Sequence, residues 1–317
     1  MKIGFIGLGN VGGKLAGSLL RNGFDLTVRD LNQEIARPFL DNGAKWAESP
    51  KHLAETVDLI ITCLPNPAAS AAVLEADDGV LTGISTGKIW AEMSTTDEEE
   101  VKRLGAKVKA LGGESLDCPV SGGCHRAATG NISIFVGGER SSFEKIFPVM
   151  KVLGRRILHT GDLGSASVLK VMTNYLATAN LVTLCEALTT AKKAGMDLST
   201  TYEAIRISSG NSFVHETESQ VILNGSRDIN FTMDLVLKDI SLFQAIADRA
   251  GVPLQVSPLL IDIFKDGEER YGSREWSSNI VRRLEDACDT QVIASGFPAE
   301  MVDDEPEVSG TEVVARV

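Results

Sequence analysis

Residues 3–30 read IGFIGLGNVGGKLAGSLLRNGFDLTVRD, and that stretch decides the fold. The apolar run Ile3 to Ile6 ends in Gly7-Leu8-Gly9-Asn10-Val11-Gly12, the pattern G-x-G-x-x-G. Helical spacing follows, with Leu15, Ala16, Leu19 and Leu20 apolar, until Asn22-Gly23 closes it. A second apolar run, Phe24 to Val28, then ends in Arg29-Asp30. The order is β-α-β. A glycine turn between strand and helix lets the backbone approach a pyrophosphate and aims the free N–H groups of the helix N-terminus at the anion. Alone the motif is weak in a chain with 30 glycines, but its place after a strand and ahead of a helix makes it specific. Gly7, Leu8, Gly9, Asn10, Val11 and Gly12 are therefore expected to hold a dinucleotide.

Asp30 stands at the tip of the second strand, about 20 residues beyond the glycines, where a carboxylate accepts hydrogen bonds from the adenosine ribose hydroxyls. It would repel a 2′-phosphate, and Leu31 and Asn32 follow where an NADP site would be expected to place Arg or Thr. The expected cofactor is NAD. Arg29 can stack on adenine or neutralise a phosphate, and the plainer role for Asp30 is an N-cap or a turn.

At 317 residues the chain is long enough for two domains of ordinary size. With 43% hydrophobic and 23% charged residues it has an ordinary globular composition. A net charge of −12 argues against nucleic acid or an anionic membrane surface as partner, so an anionic substrate must find its positive charge locally. No stretch approaches the roughly 18 uninterrupted apolar residues of a membrane span, and the first apolar residues already belong to a strand rather than to a leader. A cytoplasmic protein is expected. Cys63, Cys118, Cys124, Cys185 and Cys288 are scattered and never spaced C-x-x-C, so neither a disulfide framework nor a metal site is expected.

Further along, Asp58 to Leu64 is a continuous apolar run of the kind buried on both faces of a parallel sheet, stopped by Pro65. Ile89 to Met93 reads as another strand, ending at Ser94-Thr95 ahead of an acidic helix start. Ligands bind beyond the carboxyl ends of such strands, so Leu64, Pro65, Ser94 and Thr95 should line the cofactor crevice, with helix capping as the alternative for Ser94 and Thr95. In Asp117 to Gly138, Pro119 ends a strand, Ser121-Gly122-Gly123 makes a loop and Ile132 to Val136 begins another strand. Successive N–H groups in a glycine turn, with the Ser121 hydroxyl, suit a carboxylate.

At Gly164 the strand-rich pattern stops. Ser165 to Ala194 has helical composition without Gly or Pro, and helix follows helix beyond it: a capping box Thr200-x-x-Glu203, then Met233 to Arg249, Ser257 to Tyr271 and Trp276 to Cys288. The expected architecture is α/β: a doubly wound Rossmann domain (1–163), an all-α domain opened by a long connecting helix (164–296), and an acidic segment (297–317) read as a mobile tail or a strap on a partner subunit. Lys170 and Asn174 share one face of the connecting helix. Val168, Leu169, Val171 and Met172 surround the lysine in sequence, so desolvation should lower its pKa and suit it to exchange a proton with a substrate hydroxyl.

These residues together resemble the β-hydroxyacid dehydrogenase family, which includes 3-hydroxyisobutyrate dehydrogenase, tartronate semialdehyde reductase and 6-phosphogluconate dehydrogenase. The likeness rests on Gly4 to Gly9 with Gly12, on Pro119-Val120-Ser121-Gly122-Gly123 with Gly130, on Gly164 to Asn174 carrying Lys170, and on Lys238-Asp239. It implies Lys170 as general acid/base, Asn174 on the substrate hydroxyl or carboxylate, and Ser121, Gly122 and Gly123 on the carboxylate. It further implies Lys238 reaching cofactor or substrate, Phe231 near the nicotinamide, and a homodimer or homotetramer. The implied activity is NAD-dependent oxidation of a small 3-hydroxy acid of the 3-hydroxyisobutyrate type to its semialdehyde, or alternatively NAD(P)H-dependent reduction of a small aldehyde-acid such as succinic or tartronate semialdehyde, glyoxylate or a sulfonate analogue.

The chain also departs from the family. Thr173 stands where an Asn is usual, Ala166 where a Gly is usual, and Cys124-His125-Arg126 where small or apolar residues are ordinary. Arg126 beside the carboxylate loop can bind a second substrate anion or pair with an acidic neighbour. A non-catalytic NAD-binding sensor would be expected to have lost Lys170, and imine reductases of similar architecture replace that lysine, so its presence disfavours both.

Overall fold

The computed structural model describes residues 1–316, which fall into two compact units: Met1–Lys170 with the chain from Asp303 onward, and Val171–Val302. The first unit is built on ten strands. These are β1 (Ile3–Ile6), β2 (Leu26–Arg29), β3 (Lys45–Trp46), β4 (Leu59–Thr62), β5 (Ile89–Glu92), β6 (Glu114–Asp117), β7 (Val120–Ser121), β8 (Ile132–Gly137), β9 (Gly154–Gly161) and β10 (Thr311–Glu312). The sheet runs β3-β2-β1-β4-β5-β6-β8-β9-β10, with β7 pairing β8 off this path. All pairings from β3 to β6 are parallel, β8 is antiparallel to β6, and β8, β9 and β10 are parallel again. The strand order reverses between β1 and β4, the switch point of a doubly wound sheet. Every residue of β1, β4 and β5 is buried, as their near-continuous apolar sequences require when helices cover both faces.

Those helices are α1 (Asn10–Arg21), α2 (Gln33–Asp41), α3 (Pro50–Thr56), α4 (Pro67–Glu75), α5 (Glu98–Ala110), α6 (Gly123–Ala128) and α7 (Arg140–Leu153), with α8 (Ser165–Lys193) beginning in this unit. α1 buries Leu15, Ala16 and Leu19, and the Ser18 hydroxyl donates to the Val152 carbonyl at 2.7 Å. Asp97 caps α5 by accepting from the Glu99 N–H at 2.7 Å, with three acids in the first turn and lysines in the last to complement the helix dipole. The capping role considered for Ser94 and Thr95 is thus filled by Asp97.

The acidic C-terminal segment is not a free tail. The Phe297 and Ala299 carbonyls accept from Asn224 and Ser226 within the second unit. From Asp303 the chain lies on the first unit and adds β10 to β9, with Thr311 opposite Arg156 and Glu312 opposite Ile157. The sequence suggested a mobile tail or a strap on a partner subunit, because the order of this stretch comes from ion pairs and backbone pairing rather than from apolar periodicity.

The second unit holds the rest of α8 with α9 (Leu198–Arg206), α10 (Phe213–Asn224), α11 (Met233–Arg249), α12 (Val256–Tyr271) and α13 (Arg282–Cys288). Leu181, Leu184 and Leu188 of α8 pack with Val214, Ile222, Met233, Ile240 and Phe264 in one apolar core. Two local expectations change. Asp197, not Thr200, caps α9, accepting from the Thr200 N–H at 2.8 Å. The stretch expected as one helix from Trp276 divides into a 3₁₀ turn, Ser277–Val281, and α13. There the Ser277 N–H donates to the Phe231 carbonyl and the Ser278 hydroxyl to the Arg227 carbonyl, bonds that compete with a regular helix.

Gly12 sets how closely α1 approaches β1, since a Cβ there would lie 2.1 Å from the Gly7 carbonyl oxygen. Backbone cannot yield as a side chain can. Gly12→Ala is expected to destabilise the protein by about 1–3 kcal/mol, measured by urea unfolding; an unchanged midpoint would refute the close approach.

Candidate active site

At the carboxyl ends of β1 and β4 two loops meet. Gly7 has φ +98°, and a Cβ on it would stand 2.3 Å from the Cys63 carbonyl oxygen, so only glycine lets the loops touch. A Cβ on Gly9 would meet nothing within 4 Å. Gly9 is also the N-cap of α1, with no side-chain cap bond and no acid in the first turn. Open space over an uncapped helix N-terminus fits a pyrophosphate. Gly9 and Asn10 are exposed and Val11 half-buried, whereas the Leu8 side chain lies in the core.

The Asp30 carboxylate accepts from the Leu8 N–H at 2.7 Å and from the Asn32 N–H at 3.0 Å. It therefore ties the tip of β2 to the glycine loop and also closes a turn. Asn32, not Asp30, caps α2, accepting from the Glu34 N–H. Arg29 stacks its guanidinium on the Trp46 ring at 4.9 Å and donates to the Asp30 carbonyl, contacts within its own sheet.

A buried polar chain joins the next two loops. The Leu64 N–H donates to the Ser94 hydroxyl at 2.7 Å, and that hydroxyl in turn donates to the Glu92 carboxylate. Glu92 also accepts from the Ser94 N–H at 2.9 Å and is 1% exposed. Burial pushes its carboxyl above the ordinary range, against the opposing hydrogen bonds from Ser94. Ser94 thus serves as a strut between strand-end loops, with Thr95 half-buried beside it and Pro65 exposed on the loop after β4.

Asp117 ends β6, directly beside Glu92 in the pairing of β5 with β6. Its fully buried carboxylate accepts from the Gly164 N–H at 2.8 Å, the Ser167 N–H at 2.7 Å and the Ser167 hydroxyl at 2.9 Å. Burial raises its pKa, and these three donors oppose the rise. They fix the first turn of α8 to the edge of the sheet. Lys170, one turn further along, is 7% exposed between the buried Ala166 and Val171.

Beyond Asp117 the chain forms β7 with Ser121, then turns through Gly122 (φ +130°) and Gly123 (φ +86°) into α6, whose start has no side-chain cap. Ser121 and Gly122 are half-buried and Gly123 exposed. Arg126, on α6, pairs with Glu305 at 3.5 Å. In the second unit, Asn174 donates to the Asp239 carboxylate, which also pairs with Lys238 at 2.7 Å. Asp239 is buried, and Lys238 keeps 18% of its side chain exposed. Phe231 packs against that unit's apolar core.

The candidate residues thus fall into two sets. The glycine loop, Asp30, Leu64, Ser94, Ser121 and Lys170 belong to the first unit, and Asn174, Lys238 and Asp239 form one cluster in the helical unit. Sequence reasoning passed over Asp117 and Glu92. Glu92 ends the apolar strand β5, which is a signal that marks it, whereas β6 reads Glu-Ser-Leu-Asp and gives no such signal for Asp117.

The comparisons bear on this arrangement. Residues 2–161 match the family model for the NAD binding domain of 6-phosphogluconate dehydrogenase, and residues 164–284 the one described as NAD-binding of NADP-dependent 3-hydroxyisobutyrate dehydrogenase. The chain belongs to the β-hydroxyacid dehydrogenase family. It is 33% identical to 2-(hydroxymethyl)glutarate dehydrogenase of Eubacterium barkeri, over 89% of this chain and 94% of that protein. It is 29% identical to mitochondrial 3-hydroxyisobutyrate dehydrogenase of Rattus norvegicus, over 87% of this chain and 85% of the relative. The crystal structure of 3-hydroxyisobutyrate dehydrogenase from Salmonella typhimurium superposes with a TM-score of 0.81 at 27% identity, over 89% of this chain and 99% of the other. The protein is accordingly an oxidoreductase of the NAD(P)-dependent hydroxyacid dehydrogenase type.

Glu92 offers a pH test of the strut. A raised carboxyl pKa means that the folded state retains a proton which the unfolded chain loses above about pH 4.3, so this residue's contribution to stability declines as pH rises from there toward its folded pKa. Glu92→Gln keeps an acceptor for Ser94 and does not ionise. Its melting temperature relative to wild type is expected to climb as pH rises above about 4.3; a difference independent of pH would show that Glu92 does not titrate in this way.

Proposed function

We propose that the protein reversibly oxidises a small 3-hydroxy acid of the 3-hydroxyisobutyrate type to its semialdehyde, with NAD as coenzyme and Lys170 as general acid/base. The observation that carries the reading is Lys170 itself, buried on a helix whose first turn is clamped by Asp117 to the edge where the glycine loop opens. The names 2-(hydroxymethyl)glutarate and 3-hydroxyisobutyrate both describe a primary alcohol on the carbon next to a carboxylated one, which supports this substrate class.

In this reading Ser121 and the amides of Gly122 and Gly123 hold the substrate carboxylate, and Asn174, steadied by Asp239, hydrogen-bonds the substrate. Lys170 Nζ takes the hydroxyl proton as the carbonyl forms, and returns it in the reverse direction. The bound nicotinamide supplies the hydride acceptor. Alignment and a positive charge beside the developing alkoxide are what the protein adds.

The choice of NAD rests on Asp30, whose carboxylate is fixed by the Leu8 N–H at the tip of β2 and adds negative charge where a 2′-phosphate would lie. A second reading, NADPH-linked reduction of a small aldehyde-acid, is favoured by the NADP-dependent enzyme that names the second family model. A cytoplasmic homodimer or homotetramer completes the proposal, supported by the exposed apolar stripe Leu169, Met172 and Leu176 on α8.

Lys170→Ala should lower kcat by about 10²–10⁴-fold while dinucleotide affinity, read by fluorescence titration, stays close to wild type. Turnover near wild type would remove the lysine from the mechanism. For the coenzyme, Asp30→Asn retains an acceptor for Leu8 but drops the charge. The ratio of kcat/KM with NAD to that with NADP should fall by roughly tenfold, and an unaltered ratio would count against the ribose assignment.

A further inference from the structure

The segment from Asp303 to Glu312 lies outside the residues that either family model matches, yet it is bonded along its length to the first unit. Its upstream half grips α6 and the turn after it. Asp303 accepts from the Thr129 hydroxyl and from the Asn131 amide at 2.8 Å, and that amide also donates to the Glu305 carbonyl at 2.9 Å. Thr129 is the C-cap of α6, and Asn131 is 4% exposed at the start of β8. The Glu305 carboxylate pairs with Arg126 at 3.5 Å and with Arg155. Glu307 accepts from Asn22 at 3.0 Å and pairs with Arg21 at 3.2 Å, while Arg21 also donates to the Ala128 carbonyl at 2.9 Å.

Downstream the segment is anchored independently of α6. The Gly310 N–H donates to the Lys151 carbonyl at 2.7 Å, and a Cβ on Gly310 would overlap the Gly154 carbonyl oxygen at 1.9 Å. Glu312 of β10 pairs with Arg140. The acidic strap is therefore a built part of the unit.

What it holds is the helix that leads out of the substrate loop. α6 has six residues, too short to keep its own shape, so its position is set by its surroundings: Gly122 and Gly123 at one end, α1 and the core around the buried Ala127 on its inner side, and the strap at the other end. Burial works against a charged Asp303, but the hydrogen bonds from Thr129 and Asn131 outweigh it and hold the carboxyl below the ordinary range, so the grip is charged at neutral pH.

We propose that the strap is a specificity element of the substrate loop: Asp303 fixes α6, and Glu305 takes the Arg126 guanidinium, so that the loop selects hydroxy acids bearing one negative charge over those bearing two. A second substrate carboxylate would have to displace Glu305 to reach Arg126. Both side chains are partly exposed, at 33% and 50%, so water screens the pair and the preference is several-fold rather than absolute. The selectivity rests on the substrate-loop reading above; the fixing of α6 does not.

The test compares Glu305→Gln, Asp303→Asn and, as a control at the far anchor, Glu312→Gln. Glu305→Gln should raise the ratio of kcat/KM for 2-(hydroxymethyl)glutarate to that for 3-hydroxyisobutyrate by about fivefold with KM for NAD unchanged, and Glu312→Gln should leave the ratio alone. Asp303→Asn should raise KM for both acids more than it lowers kcat, and speed hydrogen exchange of the amides in residues 123–131. A ratio untouched by Glu305→Gln, or moved equally by Glu312→Gln, overturns the specificity role. If wild type and every variant turn over neither acid, the proposed substrate class fails, and exchange alone decides: faster exchange in Asp303→Asn but not in Glu312→Gln upholds the fixing of α6, and equal exchange overturns it.

Discussion

Three donors at the start of α8 converge on one buried carboxylate, that of Asp117. A helix begins with N–H groups that have no partner within the helix, and a buried end must satisfy them. Asp117 does so from the last residue of a central strand. The helix carrying Lys170 therefore starts at the sheet's carboxyl edge. The same acid stands in register with Glu92, which braces the loops after β4 and β5 through Ser94. Two carboxyls at the ends of adjacent parallel strands, Asp117 and Glu92, thus hold the proposed proton-transfer helix and the loops after β4 and β5 respectively. Neither touches substrate in the proposed reaction, and both bear the burial that raises their pKa.

The β-α-β opening was legible because glycine spacing and apolar runs are local properties. Gly7, Gly9 and Gly12 meet three separate demands: loop contact, open space over a helix end, and close packing of helix on strand. A sequence pattern can state such demands. The long helix was legible as well, because a long helical stretch without Gly or Pro has few other ways to fold, and the alternation of apolar runs with helices pointed to a doubly wound sheet, whose observed order is β3-β2-β1-β4-β5-β6.

The remainder was hidden for a common reason: long-range polar pairing leaves no period in a sequence. Asp30 bonds Leu8, Asn174 bonds Asp239, and Asp303 bonds Asn131, each across many residues. The acidic C-terminal stretch was read by composition, which describes its solvation but not its partners. Arg29 stacks on Trp46, a partner the sequence reading did not name, and Arg126 pairs with Glu305, the acidic neighbour left open as one of its two alternatives. Local capping produced smaller discrepancies, because several Ser, Thr and Asp residues near a helix start compete for the same N–H groups, and Asp97 and Asp197 prevail.

A chain with a net charge of −12 that handles anionic ligands must keep its own carboxylates from repelling them. Here the acids near the ligand-handling loops are largely spent on fixed partners. Asp30 faces backbone N–H groups, Asp117 faces a helix N-terminus, and Glu305 and Glu307 face arginines. The proposed anion contacts come mainly from backbone donors at Gly9 and at Gly122–Gly123, which carry no formal charge and need no counter-ion. Such donors are fixed by the backbone, so they favour one anion in one place. A mobile arginine would accept many. In the proposed scheme, the pairing of Arg126 with Glu305 on the strap tempers an adaptable cation, so that a second substrate anion has to compete with a carboxylate already there.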